Sequence, residues 1–101
     1  MKPVYTAKSD VNGDGLFTVE DIKEGEIIGV SHVCYKNYWY SVNPIGIYYN
    51  HSLNPNCIIR YEGNLNLLVA KINISAWEEL LVDYTKQSHE HFEQPKEDWL
   101  T

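Results

Sequence analysis

Cationic side chains are scarce in this chain: eight Lys and Arg stand against fourteen Asp and Glu, a formal charge of −6 at pH 7. The few cations are scattered along the chain, which excludes a nucleic-acid backbone as the main partner, because phosphate binding needs clustered positive charge. The acidic residues gather at 10–26 and 90–98, an electrostatic match for a basic, lysine-containing protein. Cysteine is nearly absent too, with only Cys34 and Cys57, too few for a disulfide framework. With no leader-like start, the chain is expected inside a cell, in the cytoplasm or a eukaryotic nucleus, with both thiols free. No apolar run approaches the ~20 residues that cross a bilayer, so no membrane partner is expected. Internal repeats and low-complexity segments are missing as well. What remains is 101 residues, 44% hydrophobic: one domain with a modest core, for which a homodimer is an easy way to add buried area.

Against that background one polar stretch stands out, Asn50-His51-Ser52-Leu53-Asn54-Pro55-Asn56-Cys57. It lies between Ile45-Gly46-Ile47-Tyr48-Tyr49 and the strand-like Ile58-Ile59-Arg60-Tyr61, so it is tucked between buried elements. Polar groups held there need partners, from backbone or from a ligand. Pro55 biases Asn54 to extended geometry and Asn56 favours a turn, which predicts a sharp, self-hydrogen-bonded crossing.

A second stretch, Asp10-Val11-Asn12-Gly13-Asp14-Gly15, has two readings. Asp10, Asn12, Asp14, Gly15 and Asp21 fit the calcium-loop template, giving a calcium-binding interaction module as one alternative. A helix should then follow, whereas Leu16-Phe17-Thr18-Val19 reads as a strand and 21–29 holds two glycines. The other reading makes Gly13 and Gly15 places where backbone approaches a ligand closely. A dinucleotide fingerprint is excluded, since the third glycine and the helix are missing. The third stretch is Glu78-Glu79-Leu80-Leu81-Val82-Asp83-Tyr84, which alone reads as a charged turn before an edge strand. His89-Glu90-His91 offers only two ligands on a polar tail, short of a metal site, and no metal is expected.

Taken together and in order, Gly-Asp-Gly-Leu-Phe, Asn-His-Ser-x-x-Pro-Asn and Glu-Glu-Leu-Leu-Val-Asp-Tyr resemble the signature of the SET-domain protein-lysine methyltransferases, over residues 4–84. The resemblance implies a mostly β fold, a β-clip of small sheets in which the Asn50 and Tyr84 segments cross like a pseudoknot. It implies a minimal domain at 1–85, without zinc modules, and a tail at 86–101 that acts as a lid. It also implies transfer of a methyl group from S-adenosylmethionine to a lysine amine of a histone-like or other basic protein. Asn12, Gly13, Asp14, Gly15, Leu16, Tyr48, Asn50 and His51 are carried over as cofactor contacts, Tyr84 as the catalytic tyrosine, and Val82 and Trp99 as walls of the lysine channel.

The chain departs from the family pattern at several positions. Many members place a Tyr beside the reacting methyl just after the strand at 27–30, where this chain has Ser31-His32; a catalytically weak module that binds cofactor or peptide is the alternative this raises. Tyr35, Tyr38 and Tyr40 either substitute from nearby or cover the small core, the commoner fate of aromatics in so short a chain. Trp77 stands where the family has Gly before Glu-Glu-Leu, so the turn is expected to be of another type, because a Trp at positive φ is strained. Many members carry Tyr or Phe at the place of Val82, and valine there predicts room for a methylated lysine to re-enter. With no cysteine beyond Cys57, Phe92 and Trp99 are left to wall the channel from the tail.

Overall fold

The computed structural model describes residues 1–86; the expectations for Phe92, Trp99, the His89-His91 pair and the lid fall outside them. Alternating or continuous apolar patterns become strands where the sequence predicts them. β1 (Val4–Lys8) and β2 (Asp14–Thr18) pair as an antiparallel hairpin, with Val4 opposite Thr18 and Lys8 opposite Asp14. The other strands are β3 (Ile27–Tyr35), β4 (Tyr38–Ser41), β5 (Asn50–His51), β6 (Cys57–Glu62), β7 (Leu65–Ala70) and β8 (Leu81–Val82). They form one sheet in the order β4-β3-β7-β6-β8-β5. A short 3-10 turn at Tyr84–Lys86 follows. β7 is the central strand and is buried along five of its six residues, which is why Leu67-Leu68-Val69-Ala70 reads as an unbroken apolar run. Leu16, Ile22, Ile28, Ile45, Leu68, Ile74 and Leu80 are wholly shielded and form the core, each contributing roughly 2 kcal/mol of burial.

Threading at the centre brings the motifs together. β8 runs parallel to both β5 and β6, with Asn50 opposite Leu81, His51 opposite Val82 and Cys57 opposite Val82. The chain between Ser52 and Asn56 must therefore pass around β8, the predicted crossing. Asn56 closes it: its Nδ2 donates to the Glu79 carbonyl (2.8 Å) and its Oδ1 accepts the Leu81 N–H (2.8 Å). A parallel ladder engages alternate residues, and the Ser52 N–H donates to the Val82 carbonyl (3.0 Å). His51, out of phase, turns its own N–H and C=O toward the open edge of the sheet.

Positive backbone φ marks three turns. Gly63 takes it (58°) in the turn that joins β6 to β7. Trp77 does adopt positive φ (73°), so the turn keeps its type and the tryptophan bears the strain, about 1–2 kcal/mol. Its N–H donates to the Thr18 carbonyl (2.8 Å) and its ring lies 6.0 Å from Tyr5, an aromatic contact worth about 0.5–1.5 kcal/mol that offsets part of the cost. The segment after β3 is a tight hairpin with Lys36 (50°) and Asn37 (68°) both at positive φ, the type I′ pattern. It carries Tyr35, Tyr38 and Tyr40 into solvent, so these rings do not cover the core. Beyond β7, Ile74 is buried and bridges to Ile22, whereas Ile72 is exposed.

Candidate active site

The loop between β1 and β2 is built on side chains from far along the chain. Ser9 Oγ accepts the Val11 N–H (2.9 Å) and donates to the Glu79 carboxylate, 2.7 and 2.8 Å from its two oxygens. Asn50 Nδ2 donates to the Asn12 carbonyl (3.0 Å) and to Glu79 Oε2 (2.9 Å), with the Asp14 carbonyl at 3.5 Å. One carboxylate thus ties the loop to the Asn50 strand. A Cβ at Gly15 would lie 2.3 Å from Glu79 Oε2, so the bare glycine lets that carboxylate lie close against the loop. Gly13, at φ +46°, has open space where a Cβ would point, so Asn12-Gly13-Asp14 is the exposed part of the loop. Leu16 is a core residue whose carbonyl accepts the Leu80 N–H (2.7 Å); it anchors the loop and offers no free side chain to a ligand.

On the other side of Asn50 lies Tyr84. Its hydroxyl donates to the Tyr49 carbonyl (2.7 Å), and its ring meets Tyr49 edge-on at 5.9 Å and His51 at 5.1 Å. Burial pushes the phenol up to about 12, so it stays protonated at neutral pH and donates its proton to that carbonyl. Tyr48, half-buried, packs against the core beside Tyr49. His51 is buried, and its Nδ1 accepts the Tyr84 N–H (3.0 Å). That bond fixes the proton on Nε2, which is buried and has no hydrogen-bond partner among the described residues. With its lone pair committed, the ring cannot serve as a base. Asp83 Oδ1 stands 4.0 Å from the same Nδ1. Burial works against the Asp83 charge, but hydrogen bonds from the Thr85 hydroxyl and N–H, with the Lys86 ammonium nearby, hold its carboxyl below the usual range.

Val82 lines a cavity of about 400 Å³ together with Leu53, Pro55, Cys57, Ile58 and Ile59, with Asp83, Lys71 and Lys86 as its polar groups. Burial raises the Cys57 thiol to about 12, so it is an inert wall group. Ser31 and His32 lie buried in β3, where Ser31 Oγ donates to the Asn66 carbonyl (3.1 Å) and His32 Nδ1 is 3.0 Å from Ser31 Oγ. Burial lowers His32 to about 4, so this pair is neutral. The calcium alternative fails here: a strand follows the loop, and Asp21 Oδ1 accepts the Ala76 N–H (2.8 Å), so the last position of the template is spent on another turn.

The structure therefore gathers Asn12, Gly13, Asp14, Gly15, Asn50, His51 and Tyr84 at the crossing, sets Val82 on an adjacent cavity, and places Leu16 in the core. Sequence reasoning missed Ser9, Glu79, Asn56 and the Tyr49 carbonyl. Ser9 has no signal of its own, and Glu79 is indistinguishable in sequence from Glu78, which is exposed and closes its own turn on the Ser75 N–H (3.1 Å).

The family model of the SET domain matches residues 31–85. Among solved structures, a candidate histone methyltransferase of Plasmodium falciparum is 30% identical, with a TM-score of 0.72 over 83% of this chain and 94% of that one. Polycomb Repressive Complex 2 of Chaetomium thermophilum, in an autoinhibited conformation bound to S-adenosylmethionine, shares the fold at 21% identity and a TM-score of 0.67, over 82% of this chain and 15% of that one. The present chain thus spans a small part of that larger protein. No functionally curated protein matches the sequence significantly. Three motifs in order, a parallel crossing that joins them, and these two comparisons agree: the chain belongs to the SET-domain family.

Proposed function

We propose that this chain transfers the methyl group of S-adenosylmethionine to the side-chain amine of a lysine in a protein substrate. The observation that carries the reading is the convergence at one crossing of the exposed Asn12-Gly13-Asp14 loop, the outward main chain of His51 and the Tyr84 hydroxyl. These groups suit the cofactor. Gly13 leaves open space above the loop, the His51 main chain offers a donor and an acceptor to an adenine edge, and the buried His51 Nε2 lacks a partner among the described residues. Asn12, Gly13, Asp14 and Gly15 would hold it from the loop, Asn50 and His51 from the strand, and Tyr48 from beside Tyr49, with Leu16 anchoring the loop. When bound, the cofactor supplies a methyl on a positive sulfur, its own electrophile.

The chain's own residues then position and desolvate. The Tyr84 hydroxyl, donating to the Tyr49 carbonyl, would face the methyl with its oxygen as a weak C–H···O acceptor, an orienting contact of small energy. Val82 and Ile59 face the lysine stem in the apolar cavity, where desolvation favours the neutral amine over the ammonium. No residue acts as nucleophile or base, since the His51 lone pair is held by the Tyr84 N–H, and the reaction rests on alignment. The overall charge of −6 suits a basic protein. At the cavity itself, Lys71 and Lys86 favour a target lysine without further cations beside it.

The test incubates the full chain with methyl-labelled cofactor and a basic protein extract and maps the product by mass spectrometry. Label on lysine side chains is expected. Tyr84→Phe should bind cofactor as the wild type does by calorimetry but turn over at least about 10²-fold more slowly. Cofactor binding without any transfer would sink the enzymatic reading, and an unchanged rate in Tyr84→Phe would make this a core tyrosine only.

A further inference from the structure

The six-stranded sheet has two faces, and one of them shows a cluster of exposed apolar side chains. Cross-strand register assigns its members. Tyr40 lies opposite Val33 and Tyr38 opposite Tyr35, Val33 lies opposite Leu65, and Val69 lies between Ile27 and Ile58. Because side chains alternate along a strand, Leu65, Leu67 and Val69 share this face with all of them. Tyr35 (61%), Tyr38 (69%), Tyr40 (52%), Ile27 (45%), Ile58 (42%) and Leu65 (39%) are solvent-exposed and surround the shaded Leu67 and Val69.

Taking roughly 200 Å² for each whole side chain, these six expose on the order of 600 Å² of largely apolar surface, at the upper end of what a monomer's largest patch reaches. A standard interface removes about 800 Å² per partner, and homodimer interfaces are about 65% apolar, so the patch has the size one protomer needs. Charge agrees with area. Although the chain carries −6, the ionic groups here are the paired Arg60 and Glu62 (3.0 Å) and Lys36, whose Nζ lies 5.3 Å from the Tyr35 ring centre. Two copies can therefore bring these faces together without opposing like-charged clusters. Among the described residues the bordering strand β4 is an open edge without proline or lysine, the devices that normally prevent such pairing.

We propose that this face is the interface of a homodimer, in which each copy packs the same patch on the other about a two-fold axis. A contact of this kind is self-complementary and closes at two copies. It is independent of whether the chain transfers methyl groups.

Sedimentation equilibrium of the full chain from about 1 to 200 µM tests it, with a dimer dissociation constant expected on the order of 10 µM for an interface of this size. Tyr40→Lys combined with Ile58→Lys should raise that constant at least about 100-fold with unchanged circular dichroism, because both side chains are exposed in the protomer. Trp77→Lys, an exposed apolar position that packs on the β1–β2 hairpin instead, should leave it unchanged. A wild type that stays monomeric throughout, whether the face is bare or covered by residues 87–101, overturns the proposal. So does a dimer that the paired lysines leave intact, or one that Trp77→Lys weakens equally.

Discussion

Glu79 is the residue whose removal tests the architecture of the site most directly. Glu79→Ala takes away the acceptor for Ser9 Oγ and for Asn50 Nδ2 and leaves both donors in largely buried positions. Hydrogen bonds to a charged group contribute about 1.5–3 kcal/mol each, and Glu79 is half-buried, so water replaces part of the loss. The expected cost is about 2 kcal/mol, which for a domain of this size lowers Tm by roughly 10 °C. Asn50→Ala loses the same carboxylate contact together with those to the Asn12 and Asp14 carbonyls, and should cost about 2–3 kcal/mol. Because the two changes share a bond, the double variant should be more stable than their sum predicts by about 1 kcal/mol. The loop that each releases is the one assigned to the cofactor, so Glu79→Ala should also weaken cofactor binding about tenfold, or 1.4 kcal/mol, by calorimetry. Urea denaturation of the four proteins supplies the cycle. If the costs add within about 0.3 kcal/mol and cofactor affinity is unchanged, the carboxylate is a surface group and the tie is not energetic.

Other substitutions address the channel, the buried histidine and the thiols. Val82→Phe should fill part of the cavity and restrict products to monomethyl-lysine, whereas the wild type goes further; mass spectra at long times with excess cofactor showing the same methyl count in both would refute it. His32 titrates near 4 in the folded protein against an ordinary 6.5, so the unfolded chain takes the proton first as pH falls. Its contribution is present above pH 6.5 and is lost toward pH 4, up to about 3 kcal/mol, and His32→Gln should flatten the stability profile between pH 6.5 and 5. An equally steep profile in the variant would place the loss elsewhere. Cys57, wholly buried with its thiol raised to about 12, should resist iodoacetamide until the chain unfolds, while half-buried Cys34 reacts in the native state; equal labelling rates would contradict the burial.

By itself the sequence determined the local elements and the order of the motifs. Alternation at 4–6, apolar runs at 27–30 and 65–70 and the Gly63-Asn64 turn each specify a strand or hairpin through nearest neighbours alone, and the structure has them in place. The Asn50 and Tyr84 strings were legible because their residue types recur together in one family. Tertiary structure decided what those residues touch. Ser9 and Glu79 lie seventy positions apart, and neither propensity nor period reports on a bond of that span. The close approach of Glu79 to Gly15 came from the fold, and Asn50 proved to hold the loop with its side chain while His51 turned its main chain outward. The tyrosines after β3 went to solvent because a two-residue turn sends that hairpin off the edge of the sheet. Trp77 kept a glycine's conformation, held by its bond to Thr18 and its contact with Tyr5. Each of these depends on how the chain threads past itself, and threading is set by long-range packing that no single stretch of sequence contains.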